Sequence, residues 1–273
     1  PMRAINPSVS VEMEETISKA LQYNTEDRFQ SALEMKEALL GVAHKTGLLP
    51  NLAPPVVAQA STSNSSKPIW NFECEDELRG SPTFYEGNVY LGSYDNNLYA
   101  INAATGNFIW KFPTEGGIVS KPAIYENQVF FGSEDKRLYA ISLASRKITW
   151  SYFTYAPIRS SPLTAEGHVF VGSDDASLHA VNALSGRRAW SVEAGAPIRS
   201  TPLVYNDSVY FGAESGDFFC LDFTGRIKWR FKARRANTGS AIAHNGVVYF
   251  GSVDGTLYAM DAKTGWAIWR FRL

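Results

Sequence analysis

Cysteine is scarce in this chain of 273 residues: Cys74 and Cys220 are the only two, and neither has a C-x-x-C partner or a histidine-rich neighbourhood. A disulfide framework and a zinc site are therefore not indicated, and two buried free thiols are expected. Long apolar runs are missing as well. The richest stretch, residues 48–57, is broken by Pro50, Pro54 and Pro55, well short of the roughly 18 residues a membrane-spanning helix requires. Excess charge of one sign is also absent, with 26 Lys and Arg against 27 Asp and Glu and a pI near 6.5. No global field then favours nucleic acid or an anionic membrane, and a charged partner must be met by a local patch. No signal-peptide pattern opens the chain, which begins Pro1-Met2 and reads as a piece of a longer polypeptide.

What is present is a repeat. Tryptophans fall at Trp70, Trp110, Trp150, Trp190, Trp229 and Trp269, with steps of 40, 40, 40, 39 and 40 residues. Glycines keep the same register at Gly92, Gly132, Gly172, Gly212 and Gly251, each after an apolar run such as Val129-Phe130-Phe131. A third series follows within a few residues, as in Leu98-Tyr99-Ala100 and Leu257-Tyr258-Ala259. The one-residue deletion in the fourth unit falls in the turn Asp222-Phe223-Thr224-Gly225, where a loop absorbs it. Each unit reads as four strands: one around the Ser-Pro step at Ser81-Pro82, Ser161-Pro162 or Thr201-Pro202, one ending at the glycine, one at Leu-Tyr-Ala, and one at the tryptophan. Four-stranded modules of about 40 residues are propeller blades, which dispose of exposed sheet edges by radial repetition. The fold class expected is an all-β propeller with five visible blades over residues 68–273, preceded by a short helical segment. Six tryptophan strands against five sets of the other three leave the strand at Trp70 without a blade. The parent protein is accordingly expected to continue past Leu273 with at least one more.

The segments Ala100-Ile-Asn-Ala-Ala-Thr105-Gly106-Asn-Phe-Ile-Trp110 and Ala259-Met-Asp-Ala-Lys-Thr264-Gly265-Trp-Ala-Ile-Trp269 resemble the tryptophan-docking motif of the pyrroloquinoline-quinone (PQQ) type propeller repeat. The resemblance covers about three quarters of the chain, with Ser145-Arg146 replacing Thr-Gly in the second unit. It implies that the six tryptophans stack on the next blade and that the turns ending at Gly106, Gly186, Gly225 and Gly265 hold them, a purely structural role.

Residues 1–41 differ. Val11, Ile17, Ala20 and Leu21 share a helical face, Glu12, Glu14 and Glu15 suit a helix start, and Ser31-Ala-Leu-Glu34 is a capping box, so two short helices are expected with Gly41 as the stop. The wording Ile5-Asn6-Pro7-Ser8-Val9, then Glu26-Asp27-Arg28-Phe29-Gln30-Ser31-Ala32-Leu33-Glu34-Met35, resembles the last subdomain of bacterial Hanks-type Ser/Thr protein kinases. By that resemblance Arg28 is the structural arginine that pairs with the glutamate of the Ala-Pro-Glu motif. That partner, the glycine-rich loop, the ATP-positioning lysine and the His-Arg-Asp and Asp-Phe-Gly motifs all lie outside this chain. Residues 42–67, with three prolines and a Ser/Thr/Asn tract, read as a flexible tether. They lack a membrane span, so the kinase resemblance implies kinase and propeller on the same side of the membrane, and a cytoplasmic location is expected.

No catalytic constellation is legible. The PQQ dehydrogenases that the repeat resembles use a vicinal cysteine pair, a calcium site and a catalytic aspartate. Cys74 and Cys220 are not adjacent, and Asp95, Asp135, Asp175 and Asp254 recur three residues past the glycine, where a hairpin turn favours Asp. PQQ is not expected, nor is any other cofactor or metal. One series could bind: Arg79, Arg159 and Arg199 stand three residues before the Ser-Pro proline, with Lys121 nearby and small residues Gly80, Ser120, Ser160, Ser200 and Gly239 following. If that strand is innermost, the small residues line a narrow channel and the cations ring its mouth. Such a rim suits an acidic or phosphorylated protein segment, with Lys232, Arg234 and Arg235 as possible additions; the alternative is a solvated rim in which each arginine pairs with a neighbouring blade's carboxylate. The functional expectation is a non-enzymatic sensory or protein-interaction module of a Ser/Thr kinase. The main rival is a free-standing scaffold similar to the propeller lipoproteins of outer-membrane barrel assembly.

Overall fold

The computed structural model of the chain describes residues 9–22, 24–45 and 68–272, in two units, Pro1–Lys67 and Pro68–Leu273. In the second unit every repeat folds as a four-stranded antiparallel meander. Blade 1 comprises β1 (Thr83–Tyr85), β2 (Asn88–Gly92), β3 (Asn97–Asn102) and β4 (Phe108–Pro113), hydrogen-bonded in that order. Blades 2 to 5 repeat it over residues 123–153, 163–193, 203–232 and 242–272. The fold is thus the all-β propeller arrangement expected. The first strand, however, begins one residue after the proline rather than around it, and blade 5, with Ala241 in the proline's place, begins at the same register. The Arg-Ser-Ser-Pro stretch is consequently the connector into the blade.

In blades 2 to 4 the second and third strands are buried on both faces, which is why they read as continuous apolar runs. The core is a set of layers between blades: Phe170, Leu178 and Ala180 of blade 3 pack against Val209, Phe211, Phe219 and Leu221 of blade 4. Blade 4 then presents Tyr210, Phe218 and Cys220 to Val248, Phe250, Tyr258 and Met260 of blade 5. One bulge recurs in all five blades between the third and fourth strands, at Ala100/Ile101 and its counterparts.

The tryptophans of the fourth strands lock consecutive layers. Each indole N–H donates to a carbonyl in the turn of the following blade: Trp70 to Ala103 at 2.8 Å, Trp150 to Ala183 at 2.9 Å, Trp190 to Phe223 at 2.7 Å and Trp229 to Ala262 at 3.0 Å. The ring sits on the turn glycine. A Cβ on Gly106, whose φ is +74°, would meet the Trp70 ring at 2.6 Å, and Gly186, Gly225 and Gly265 stand likewise against Trp150, Trp190 and Trp229. Trp70 docks on blade 1 in this way without being part of a sheet. Trp110 is the exception. The turn it faces carries Arg146 at φ 58°, and among the described residues its indole makes no such hydrogen bond. A side chain in left-handed backbone costs on the order of 1 kcal/mol, so Arg146→Gly is expected to raise the unfolding free energy in urea by about 1 kcal/mol. Trp269, on the outer face of blade 5, remains 43% exposed.

In the first unit α1 (Val11–Ala20) is capped by Ser10, whose Oγ accepts from the Met13 N–H at 3.2 Å. Its sheltered face is Met13, Thr16, Ile17 and Ala20, while Val11 and Leu21 of the expected face are 46% and 76% exposed. The capping box forms: the Glu34 N–H donates to Ser31 Oγ at 3.1 Å, and the Glu34 carboxylate accepts from the Gln30 N–H and from Lys19 Nζ, each at 2.8 Å. Gly41 does not end the second helix. α2 (Ala32–Lys45) runs through it because the next residue, Val42, is buried and rewards another turn. The expected tether therefore begins no earlier than residue 46, and residues 46–67 lie outside the described residues, as does the Ile5–Ser8 part of the kinase-like wording. Arg28 Nε donates to the Gln22 carbonyl at 2.7 Å.

Candidate functional site

The connector into each blade and the turn after its second strand meet at one end of the blade, and the charged residues of the repeat collect there. Arg159, in the connector into blade 3, reaches Glu134 of blade 2 at 2.8 Å and Asp174 of blade 3 at 2.7 Å. Arg199, one repeat later, pairs with the same Asp174 at 2.9 Å and with Glu214 of blade 4 at 2.9 Å. The result is a ladder of alternating sign, Glu134–Arg159–Asp174–Arg199–Glu214, stapling three blades along a half-exposed rim. Arg79 stands outside it, paired with Glu77 at 2.8 Å and lying over the Tyr94 ring. Lys121 is exposed, its backbone N–H donating to Ser161 Oγ. The structure therefore brings Arg159 and Arg199 together through a shared carboxylate and leaves Arg79 and Lys121 separate. An anion arriving at the ladder must displace Asp174.

The channel lining expected from the small residues is not formed by the serines. Ser120, Ser160 and Ser200 are buried, and the Ser120 and Ser200 hydroxyls each satisfy both backbone groups of a strand-ending glycine, Gly132 and Gly212, at 2.9–3.0 Å. Ser160 donates instead to the Ser200 carbonyl at 2.8 Å. They are small because the connector packs directly on the second strand.

The recurring aspartates are hairpin acceptors. Asp95 accepts from Tyr99 Oη at 2.7 Å, Asp135 from Tyr139 at 2.6 Å and Asp254 from Tyr258 at 2.9 Å. In blade 3 the buried His179 replaces the tyrosine, with Nε2 3.1 Å from Asp175 and Nδ1 3.0 Å from Tyr152 Oη. Burial, and then the bond to the carboxylate, pushes the Tyr99 and Tyr139 phenols well above their ordinary range. Blade 4 breaks the pattern at both ends, with Ser215 for the aspartate and Phe219 for the tyrosine. Asp217, 2% exposed, carries the carboxylate instead and is held by Arg230 Nε at 2.7 Å, Lys232 Nζ at 3.0 Å and Ser215 Oγ at 2.6 Å. Burial works against its ionisation, but the bonds from Arg230, Ser215 and Lys232 outweigh that and hold its pKa at about 2. This clamp, and the His179 relay, escape a sequence reading that tracks only conserved spacing within the repeat. The visible signal was the joint loss of Asp and Tyr in the fourth unit.

Cys220 is fully buried between blades 4 and 5, Cys74 lies in the segment covering blade 1, half-buried rather than buried as expected, and the two thiols are free. Among the described residues no group of three His, Cys, Asp or Glu side chains converges as metal ligands, and no helix is long and apolar enough to cross a membrane.

Five meander blades docked by indoles, with a charged rim at one end, define a repeat propeller of the scaffold type. The chain belongs to the family described as outer membrane protein assembly factor BamB, whose model matches residues 56–165, 120–222 and 155–273. No curated protein matches the sequence. Among solved structures the chain is similar to BamB from Moraxella catarrhalis, with a TM-score of 0.67 and 22% identity over 74% of this chain and 67% of that one. The computationally designed Ika8 protein aligns with a TM-score of 0.65 and 16% identity over 71% and 61% of the two chains. A quinohemoprotein alcohol dehydrogenase, ADHIIG from Pseudomonas putida HK5, aligns at 0.66 and 16% identity over 74% of this chain and 43% of its own length. At these identities the likeness is one of fold.

Proposed function

We propose that the propeller is a non-catalytic protein-binding module, carried behind the carboxyl-terminal end of a Ser/Thr kinase catalytic domain and acting in the cytoplasm. The observation that carries the binding reading is the rim: guanidinium and carboxylate groups fixed on rigid blade ends, half in solvent, where the carboxylate of a partner can compete with Asp174 for the guanidinium groups. Arg79, Arg159 and Arg199 are the residues that would meet an acidic or phosphorylated segment of that partner. The kinase assignment rests on the wording of residues 5–35 and on Arg28. PQQ has no part in this reading, since neither the thiols nor the hairpin aspartates are available to it.

Capture of partners from a lysate by the full chain, compared with an Arg79→Ala/Arg159→Ala/Arg199→Ala variant of verified fold, tests the rim. A partner retained by the wild type and weakened about tenfold in the variant supports it. An unchanged partner set moves the contact elsewhere. The family match favours a second reading, a free-standing assembly scaffold. The parent gene upstream of Pro1 separates the two, by kinase motifs in one case and a lipobox in the other.

A further inference from the structure

Blades 4 and 5 each carry a pair of cations in the same register. In blade 4 Lys232 lies across the ladder from Asp217 and Arg230 across from Phe219; in blade 5 Arg272 lies across from Thr256 and Arg270 across from Tyr258. The blade 4 pair closes on the Asp217 carboxylate, at 2.7 Å from Arg230 and 3.0 Å from Lys232. Thr256 stands in the Asp217 position of blade 5 and supplies no carboxylate. A third guanidinium, Arg234 from the connector, borders the same space, and with Asp254, Thr256 and Tyr258 the three arginines line a cavity of about 260 Å³.

Asp254 is the one acid of that cavity, and it is already engaged. Its carboxylate accepts from Tyr258 Oη at 2.9 Å, from the Thr256 N–H at 2.9 Å and from the Arg234 backbone N–H at 3.2 Å. None of the side chains of Arg234, Arg270 and Arg272 forms an ion pair among the described residues. Arg270 rests over the rings of Phe231 and Tyr258, with its guanidinium 5.5 and 5.8 Å from their centroids, a placement that holds the fork in position and leaves its N–H edge to a ligand.

We infer that blade 5 binds a carboxylate between Arg270 and Arg272, with Arg234 as the third donor, in the place that the Asp217 side chain fills in blade 4. The cavity is smaller than the roughly 300–1,000 Å³ of a drug-sized site and suits one acidic side chain or a small dicarboxylate. Convergent guanidinium forks are the geometry that carboxylates select. The inference does not depend on the rim of blades 1 to 4, where the arginines already have their carboxylates.

Titration calorimetry of the full chain tests it with three probes at equal ionic strength: succinate, a blocked glutamate-rich hexapeptide, and inorganic phosphate. The expected result is binding of at least one carboxylate probe, weakened about tenfold in Arg270→Gln/Arg272→Gln. Thr256→Asp, which places an internal carboxylate opposite Arg272, is expected to abolish that binding while leaving the fold intact. Binding of succinate identifies a free carboxylate ligand; binding of the peptide alone identifies an acidic segment of a protein. Absence of carboxylate binding to the wild type at about 10 mM probe, binding of phosphate alone, or equal binding to Thr256→Asp overturns the assignment. An unchanged partner set in the Arg79→Ala/Arg159→Ala/Arg199→Ala variant, with this binding intact, would overturn only the rim proposal.

Discussion

Gly132→Ala is expected to destabilise the propeller by about 3 kcal/mol. Gly132 ends the second strand of blade 2. Above Gly132 lies Ile158 of the following connector, and a Cβ there would stand 2.1 Å from Ile158 Cγ2. Ile158 is itself wholly buried in the layer with Phe130, Leu138 and Val169, so it has no room to withdraw. Gly92 and Gly172 stand in the same relation to Ile118 and Ile198. Urea unfolding of Gly132→Ala measures the loss. A loss under about 1 kcal/mol would show that the glycine serves strand conformation rather than blade approach.

Acid is expected to unfold the protein in part through one side chain. The folded pKa of Asp217 is held at about 2, below the ordinary aspartate value near 3.9. The ionised form is the one the fold favours, so its contribution is full above about pH 5 and is lost as pH falls through the folded value. The difference is worth about 2 kcal/mol for this buried carboxylate. In Asp217→Asn the fall in unfolding free energy between about pH 5 and pH 2 should shrink by that amount. A variant whose pH profile parallels the wild type would assign the acid sensitivity to the other carboxylates, the Asp95, Asp175 and Asp254 acceptors among them, whose pKa values are also lowered.

The legible part of this protein was what repeats. Trp150 and Gly186 could be paired on paper because the docking turn keeps the same local chemistry in most units, and its one departure, Ser145-Arg146, marks the blade interface that lacks the indole hydrogen bond. Helix ends were harder. Gly41 has the composition of a stop signal, yet burial of Val42 one residue later outweighs the local preference. The small residues were misassigned for a related reason: Ser120 and Ser200 are small so that a connector can lie on a strand, a requirement of tertiary contact that leaves the same trace in sequence as a lined channel.

The five visible blades, their strand order and the positions of the docking tryptophans follow from the sequence by itself, because strand alternation and turn chemistry are local properties and the chain states them five times. Which charges meet was decided by the tertiary structure alone. Arg159 and Glu134 are 25 residues apart and come from different blades, and the Arg234, Arg270 and Arg272 cavity joins a connector to the last strand of the next blade. Those distances are set by how one sheet is rotated onto the next. A side chain's partner across a blade interface depends on that rotation, and no spacing within the chain encodes it.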